Sequence, residues 1–77
     1  MSTKMRDMLI APIADYSQTL ANILHHADIT AFNIQAADRF KTLGGTEEYE
    51  EWKAKAKESL ERLKNTVAVL EGDIERL

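Results

Sequence analysis

Two adjacent histidines, His25 and His26, are the side chains of this 77-residue sequence that most invite chemistry. On a helix, neighbours point about 100° apart, so the pair cannot grip one metal ion together. His25 and Asp28, at i,i+3, could supply two ligands, with Asn22 nearby, but a metal site takes three or four, and no HExxH or ExxH spacing is present. The reading is therefore a polar or interface pair and no metal site. Tyr49 and Trp52 stand at helical spacing, where they could stack a flat ligand or close a core, and core closure fits the pattern of the segment better. Glu47, Glu48, Glu50 and Glu51 form an acidic group at a helix start, where the dipole favours anions. Gly44-Gly45 lacks the preceding strand and following lysine of a phosphate loop. Ser2, Ser17 and Ser59 have no turn context for a nucleophile. None of these groups assembles catalytic machinery, so the expectation is a non-enzymatic protein without cofactors.

The elements that must position these residues are marked by one proline and three glycines. Pro12 suits a helix's first turn and breaks an interior. Gly44-Gly45 after Leu43 reads as a helix stop, because glycine enters the left-handed cap conformation freely. Arg39 and Lys41 precede it, where cations complement the helix dipole, and Thr46 follows as a candidate N-cap. The spacing predicts a short helix over 3–10, a long one over 13–43 and another over 46–76. No stretch alternates long enough for a strand.

The last segment carries Tyr49, Trp52, Ala56, Leu60, Leu63, Val67, Leu70, Ile74 and Leu77, a heptad seam with one four-residue stutter before Leu60. Glu51/Lys55, Glu58/Arg62 and Glu61/Lys64 mark its wet side. The middle segment has a matching stripe: Ile13, Tyr16, Leu20, Ile23, Ala27, Ala31, Ile34 and Ala37. Folding the chain at the glycines brings residue i of the first stripe beside a residue near about 89 − i of the second. Ala37 then meets Trp52, Ile34 meets Ala56, Ala27 meets Leu63, Ile23 meets Val67, Leu20 meets Leu70 and Tyr16 meets Ile74. The fold class is all-α: a single domain over 1–77, an antiparallel, coiled-coil-like helical hairpin with a short N-terminal helix, completed by oligomerisation or a partner.

Composition narrows the function classes. With 44% apolar and 30% charged residues the chain has the make-up of a folded domain. A net charge of −3 argues against nucleic acid as the partner. The absence of cysteine excludes disulfides. No run is long and apolar enough for a membrane span, and Met1–Met8 lacks the features of a signal peptide, so a cytoplasmic location is expected.

A two-helix hairpin without staples buries too little to offset about 1.5 kcal/mol of ordering entropy per residue. A second stripe on the middle segment, Leu24, Phe32, Ala36, Phe40 and Leu43, is left over, and Met5, Met8 and Leu9 could fold back over part of it. Between Met8 and Ala37 the only charges are Asp15 and Asp28, whereas residues 46–77 carry six basic and nine acidic side chains. An apolar stripe with neutral polar edges is the composition of an interface core. The expected partner-binding set is Met5, Met8, Leu9, Leu24, Phe32, Ala36, Phe40 and Leu43, and the expected occupant is another protein or a second copy of the chain.

The run Leu43-Gly44-Gly45-Thr46-Glu47-Glu48-Tyr49-Glu50-Glu51-Trp52, followed by Leu60, Leu63, Val67 and Leu70, resembles the small co-chaperones of type III secretion needle subunits. The resemblance covers roughly the second half of the chain. It implies a cytoplasmic helical hairpin that pairs with a second chaperone and keeps an aggregation-prone needle subunit monomeric before export. The first half departs from it, being longer, poorer in charge and carrying Pro12. The alternative expectation is a small phage or mobile-element protein that inhibits a host protein, or sequesters a signalling molecule, as a homo-oligomer.

On this reading Phe32→Glu breaks association. Leu70→Glu, in the seam, costs more helicity than Phe32→Glu, as measured by circular dichroism on the two purified variants.

Overall fold

The computed structural model describes the backbone of residues 3–77 and the side chains of residues 16–77. Two helices make up the chain, α1 (Thr3–Leu43) and α2 (Thr46–Glu75), packed against each other as an antiparallel hairpin. The expected helix over 3–10 is not a separate element, because α1 runs unbroken through Pro12. The balance is simple. A proline inside a helix forfeits one ladder hydrogen bond and crowds one turn. Two helix ends in its place would orphan several backbone groups each. Met5, Met8, Leu9 and Ile13 lie outside the residues whose side chains are described. With the backbone helical from Thr3 onward, the N-terminal segment does not turn back over the rest of α1.

The turn follows from glycine's freedom at one position. Gly44 has φ +82°, a left-handed conformation that costs other L-residues roughly 1–2 kcal/mol. This reversal lets the Gly45 N–H donate to the Phe40 carbonyl (2.9 Å) and the Gly44 N–H to the Lys41 carbonyl (3.4 Å). That pair of bonds is a Schellman closure, which satisfies carbonyls that a helix end would otherwise leave open. Gly45 then serves as the N-cap of α2, and its carbonyl accepts the first bond of that helix from Tyr49 (2.8 Å). Thr46, expected as the cap, is the first residue inside α2 and caps nothing with its side chain. A Cβ on Gly45 would lie 3.2 Å from the Phe40 ring and 2.9 Å from the Glu48 carboxylate, so both side chains close over the turn.

The seam between the helices is displaced from the expected one. Along α2 the residues turned inward are Tyr49, Trp52, Ala56, Ser59, Leu63, Thr66, Leu70 and Asp73, each buried or half-buried. Their steps alternate 3 and 4 throughout, so the expected stutter is absent and Ser59 takes the place assigned to Leu60. Along α1 the inward row is Tyr16, Thr19, Ile23, His26, Thr30, Asn33, Ala37 and Phe40. Thr19, Thr30 and Asn33 stand where Leu20, Ala31 and Ile34 were expected. Leu60 is 40% exposed, Ile34 54% and Ile74 57%, and Leu77 lies beyond the end of α2.

Small size and internally satisfied hydroxyls explain this choice. The Thr30 hydroxyl donates to the His26 carbonyl (2.7 Å), and the Ser59 hydroxyl donates to the carbonyls of Lys55 and Ala56 (3.0 Å each). A hydroxyl bonded back to its own helix is already satisfied and can face another backbone closely. The Asn33 amide crosses the gap, donating to Ser59 Oγ (3.2 Å) and to the Lys55 carbonyl (3.3 Å). Both contacts agree with the expected register. Among the described residues, no buried side-chain nitrogen or oxygen lacks a partner. Only Ala37 among the described apolar residues is buried, and no large side chain is fully enclosed. On the wet side of α2, Glu51 pairs with Lys55 (3.4 Å) and Glu58 with Arg62 (2.8 Å), as expected. Such exposed pairs contribute little.

Gly44→Ala should lower stability by about 1–2 kcal/mol, with Gly44→Asn costing less, in urea denaturation followed by circular dichroism. In the same assay Asn33→Ala should cost about 1–2 kcal/mol. Ser59→Ala should cost less, because Asn33 keeps its bond to the Lys55 carbonyl.

Candidate functional site

The hairpin measures 63 × 22 × 11 Å, so it is two helices wide and one helix thick. It therefore has two broad faces, and what each face carries is decided by where residues fall relative to the seam. In an antiparallel pair, residues on the Asn33/Phe40 side of the α1 row share a face with those on the Trp52/Ser59 side of the α2 row. The contact between Phe32 and Trp52 fixes this side. Their rings meet edge to face, with centroids 5.7 Å apart and planes at 73°.

On that face, near the turn, lies an open cleft of about 800 Å³. Phe32, Ala36, Phe40, Leu43 and Trp52 give it an apolar floor, and Gln35, Asp38, Arg39 and Thr42 stand along its border. Phe32 is 61% exposed and Leu43 72%, whereas Phe40 is half-buried beneath the turn. Aromatic rings of this size are seldom left so open on a surface without a role. Trp52 is held from both sides. Phe32 meets its ring edge to face, and the Lys55 ammonium sits 4.2 Å from its centroid. A cation over an indole face helps hold the ring in place at the cleft.

Four of the expected partner-binding residues, Phe32, Ala36, Phe40 and Leu43, are thus brought together. Leu24 is not among them. Eight residues before Phe32, it lies roughly 80° round the helix. It belongs with Leu20 on the opposite face, where it is 67% exposed. Met5, Met8 and Leu9 fall outside the described side chains. Trp52 is the cleft residue that sequence reasoning assigned elsewhere. Its spacing points to core closure, and it both lines the seam and walls the cleft. The signal was present in its position, level with small Ala37, where an indole is too large to be covered completely.

The candidate metal ligands do not converge. His25 is exposed and its ring leans on that of His26, at 5.9 Å and 56°. His26 is half-buried in the seam row and Asp28 is exposed. Among the described residues no group of three or more histidine and carboxylate side chains could hold a metal ion. Among the same residues, no helix is long and apolar enough to cross a membrane. The chemistry open to the cleft is apolar and aromatic contact, with the Arg39 guanidinium and the Gln35 amide available to orient what lies in it.

Compared with known protein families, curated proteins and solved structures, the chain finds no match.

Proposed function

We propose that the protein is a non-enzymatic helical interaction module whose cleft at the turn end receives an apolar segment of a partner protein. The observation that carries this reading is the exposed Phe32, packed edge-on against Trp52, with the still more open Leu43 lining the same cleft. Helix-in-groove recognition needs a row of apolar anchors at helical spacing set between polar borders. Phe32, Ala36, Phe40 and Leu43 supply that row, and Gln35 and Arg39 supply part of the border.

The narrower form of the proposal is a co-chaperone that shields an aggregation-prone helical subunit of a type III secretion needle. Support comes from the two-helix hairpin, its glycine turn and the aromatic-bearing helix that follows. A chaperone of this kind must cover apolar surface without fixing it permanently. A shallow, open cleft serves that purpose better than a closed pocket, because it leaves the bound segment free to depart.

Trp52 is the chain's one tryptophan and reports directly on the cleft. Titration with a helical peptide from a candidate export subunit should shift Trp52 emission to shorter wavelength. Phe32→Glu should weaken that binding by roughly 100-fold or more, the effect of removing a central anchor. Asn65→Glu, at an exposed α2 position far from the turn, should leave it within about threefold, far below such an anchor's contribution. Unchanged affinity for Phe32→Glu would remove the cleft from consideration.

A further inference from the structure

The face opposite the cleft carries several residues that the heptad pattern assigns to the seam, together with Leu24 from the second stripe. From α1 it takes Leu20, Leu24 and Ile34, with Ala27 and Ala31 between them. From α2 it takes Leu60, Val67 and Ile74. All are exposed except Ala27 and Val67, which are half-buried. The middle of the seam between the helices is built of Thr30, Asn33, Ala37, Ala56 and Ser59, with Ile23, Leu63 and Leu70 half-buried further from the turn. Much of the chain's aliphatic surface therefore lies outside its own helix–helix contact.

We infer that this face is the contact surface of a homodimer in which a second copy stacks on it, turn over turn, so that α1 of each copy lies on α2 of the other. This goes beyond the cleft and its partner, since the two surfaces are on opposite sides of the hairpin. Three observations select a second copy as the occupant.

The first is need. Among the described residues, Ala37 is the one buried apolar side chain, and Ile23, Leu63 and Leu70 are only half-buried, so they enclose little apolar surface and gain stability where a partner covers more of it. A second copy is the one partner present wherever the chain is made. The second is area. From Leu20 to Ile34 the face runs about 21 Å, across a hairpin 22 Å wide. That is on the order of 400–500 Å² for each copy. The two-copy total is close to the roughly 1,000 Å² from which specific association begins.

The third is charge. The α1 border of this face carries Asp28 and Lys41, and the α2 border carries Glu50, Lys53, Lys57, Lys64 and Glu71. With turns together, α1 of one copy runs over α2 of the other in the hairpin's own register. Within a turn of helix, Lys41 then comes level with Glu50, and Asp28 with Lys64. With turns apart, α1 lies on α1, and Asp28 meets Asp28 near the middle while Lys64 meets Lys64. Like charges in contact disfavour that arrangement.

Sedimentation equilibrium on the purified chain tests this directly, and the expected species is a dimer. Leu24→Glu should raise the dissociation constant about 100-fold, as for a central interface anchor. Phe32→Glu should leave the dimer intact. Asp28→Lys and Lys64→Glu should each weaken the dimer, and the double variant should recover most of the loss. That recovery keeps the test decisive even if Leu24→Glu fails to fold. The chain has no cysteine, so a single spin label at Thr42→Cys reads the orientation cleanly. A short label-to-label distance is expected, whereas turns apart would separate the labels by roughly 45 Å. A well-folded monomer at about 100 μM, loss of the dimer through Phe32→Glu and not Leu24→Glu, or the long spin-label distance would each overturn the inference. Loss of cleft binding in an intact dimer would overturn the cleft reading alone.

Discussion

The bond from the Asn33 amide to the Ser59 hydroxyl and the Lys55 carbonyl sets how this hairpin is put together. It is the contact that ties a buried polar group of one helix to the other. A polar group at a seam tolerates few alternatives. Sliding one helix by a turn, or rotating it by one residue, would strand the amide without partners at a cost larger than most apolar mismatches. Apolar seams slip more easily, since one methyl contact resembles the next. The register between α1 and α2, and with it the side of the molecule on which each flank falls, follows from this one contact. Threonine and serine hydroxyls bonded back to their own helices let the backbones approach closely enough for it to form.

The turn and the seam act on different parts of the same problem. Gly44 ends α1 by reversing the chain, and its Schellman bonds bring α2 back alongside. The turn alone leaves rotation about each helix axis open. The Asn33 contact closes that freedom, and the Phe32–Trp52 edge contact then locks the turn end of one face. The cleft is thus a consequence of the seam. Trp52 stands at its edge because it is an inward position of α2 opposite a small residue, and Phe32 reaches it from the flank of α1.

Much of this was legible in the sequence. The all-helical hairpin, the glycine turn, the antiparallel register and four of the cleft residues follow from spacing alone. The rotational setting of each helix did not. Periodicity weighs leucine and isoleucine most heavily, so it put Leu20, Ile34, Leu60 and Ile74 inward and left Thr19, Asn33, Ser59 and Asp73 outside. The true rows keep Tyr16, Ile23 and Ala37 on α1 and Tyr49, Trp52, Ala56, Leu63 and Leu70 on α2, and at the other positions differ by a single residue step, which is enough to move a side chain from the seam to a flank. What a linear pattern cannot weigh is that a hydroxyl satisfied by its own helix behaves as a small residue. The helix expected over 3–10 was misplaced for a related reason. Proline was read as a boundary, although within a long helix one lost hydrogen bond is a smaller penalty than two new ends.

A body only 11 Å thick has consequences for how such a protein can change. In a globular domain most substitutions are felt through a shared interior, so alterations on one side constrain the other. A slab one helix deep has no such interior. Apart from the inward rows and the outer edges, the described side chains belong to one side or the other, and the backbone between them insulates one from the next. Two recognition surfaces carried this way can be rewritten separately, each answering to its own occupant while the scaffold between them stays as it is.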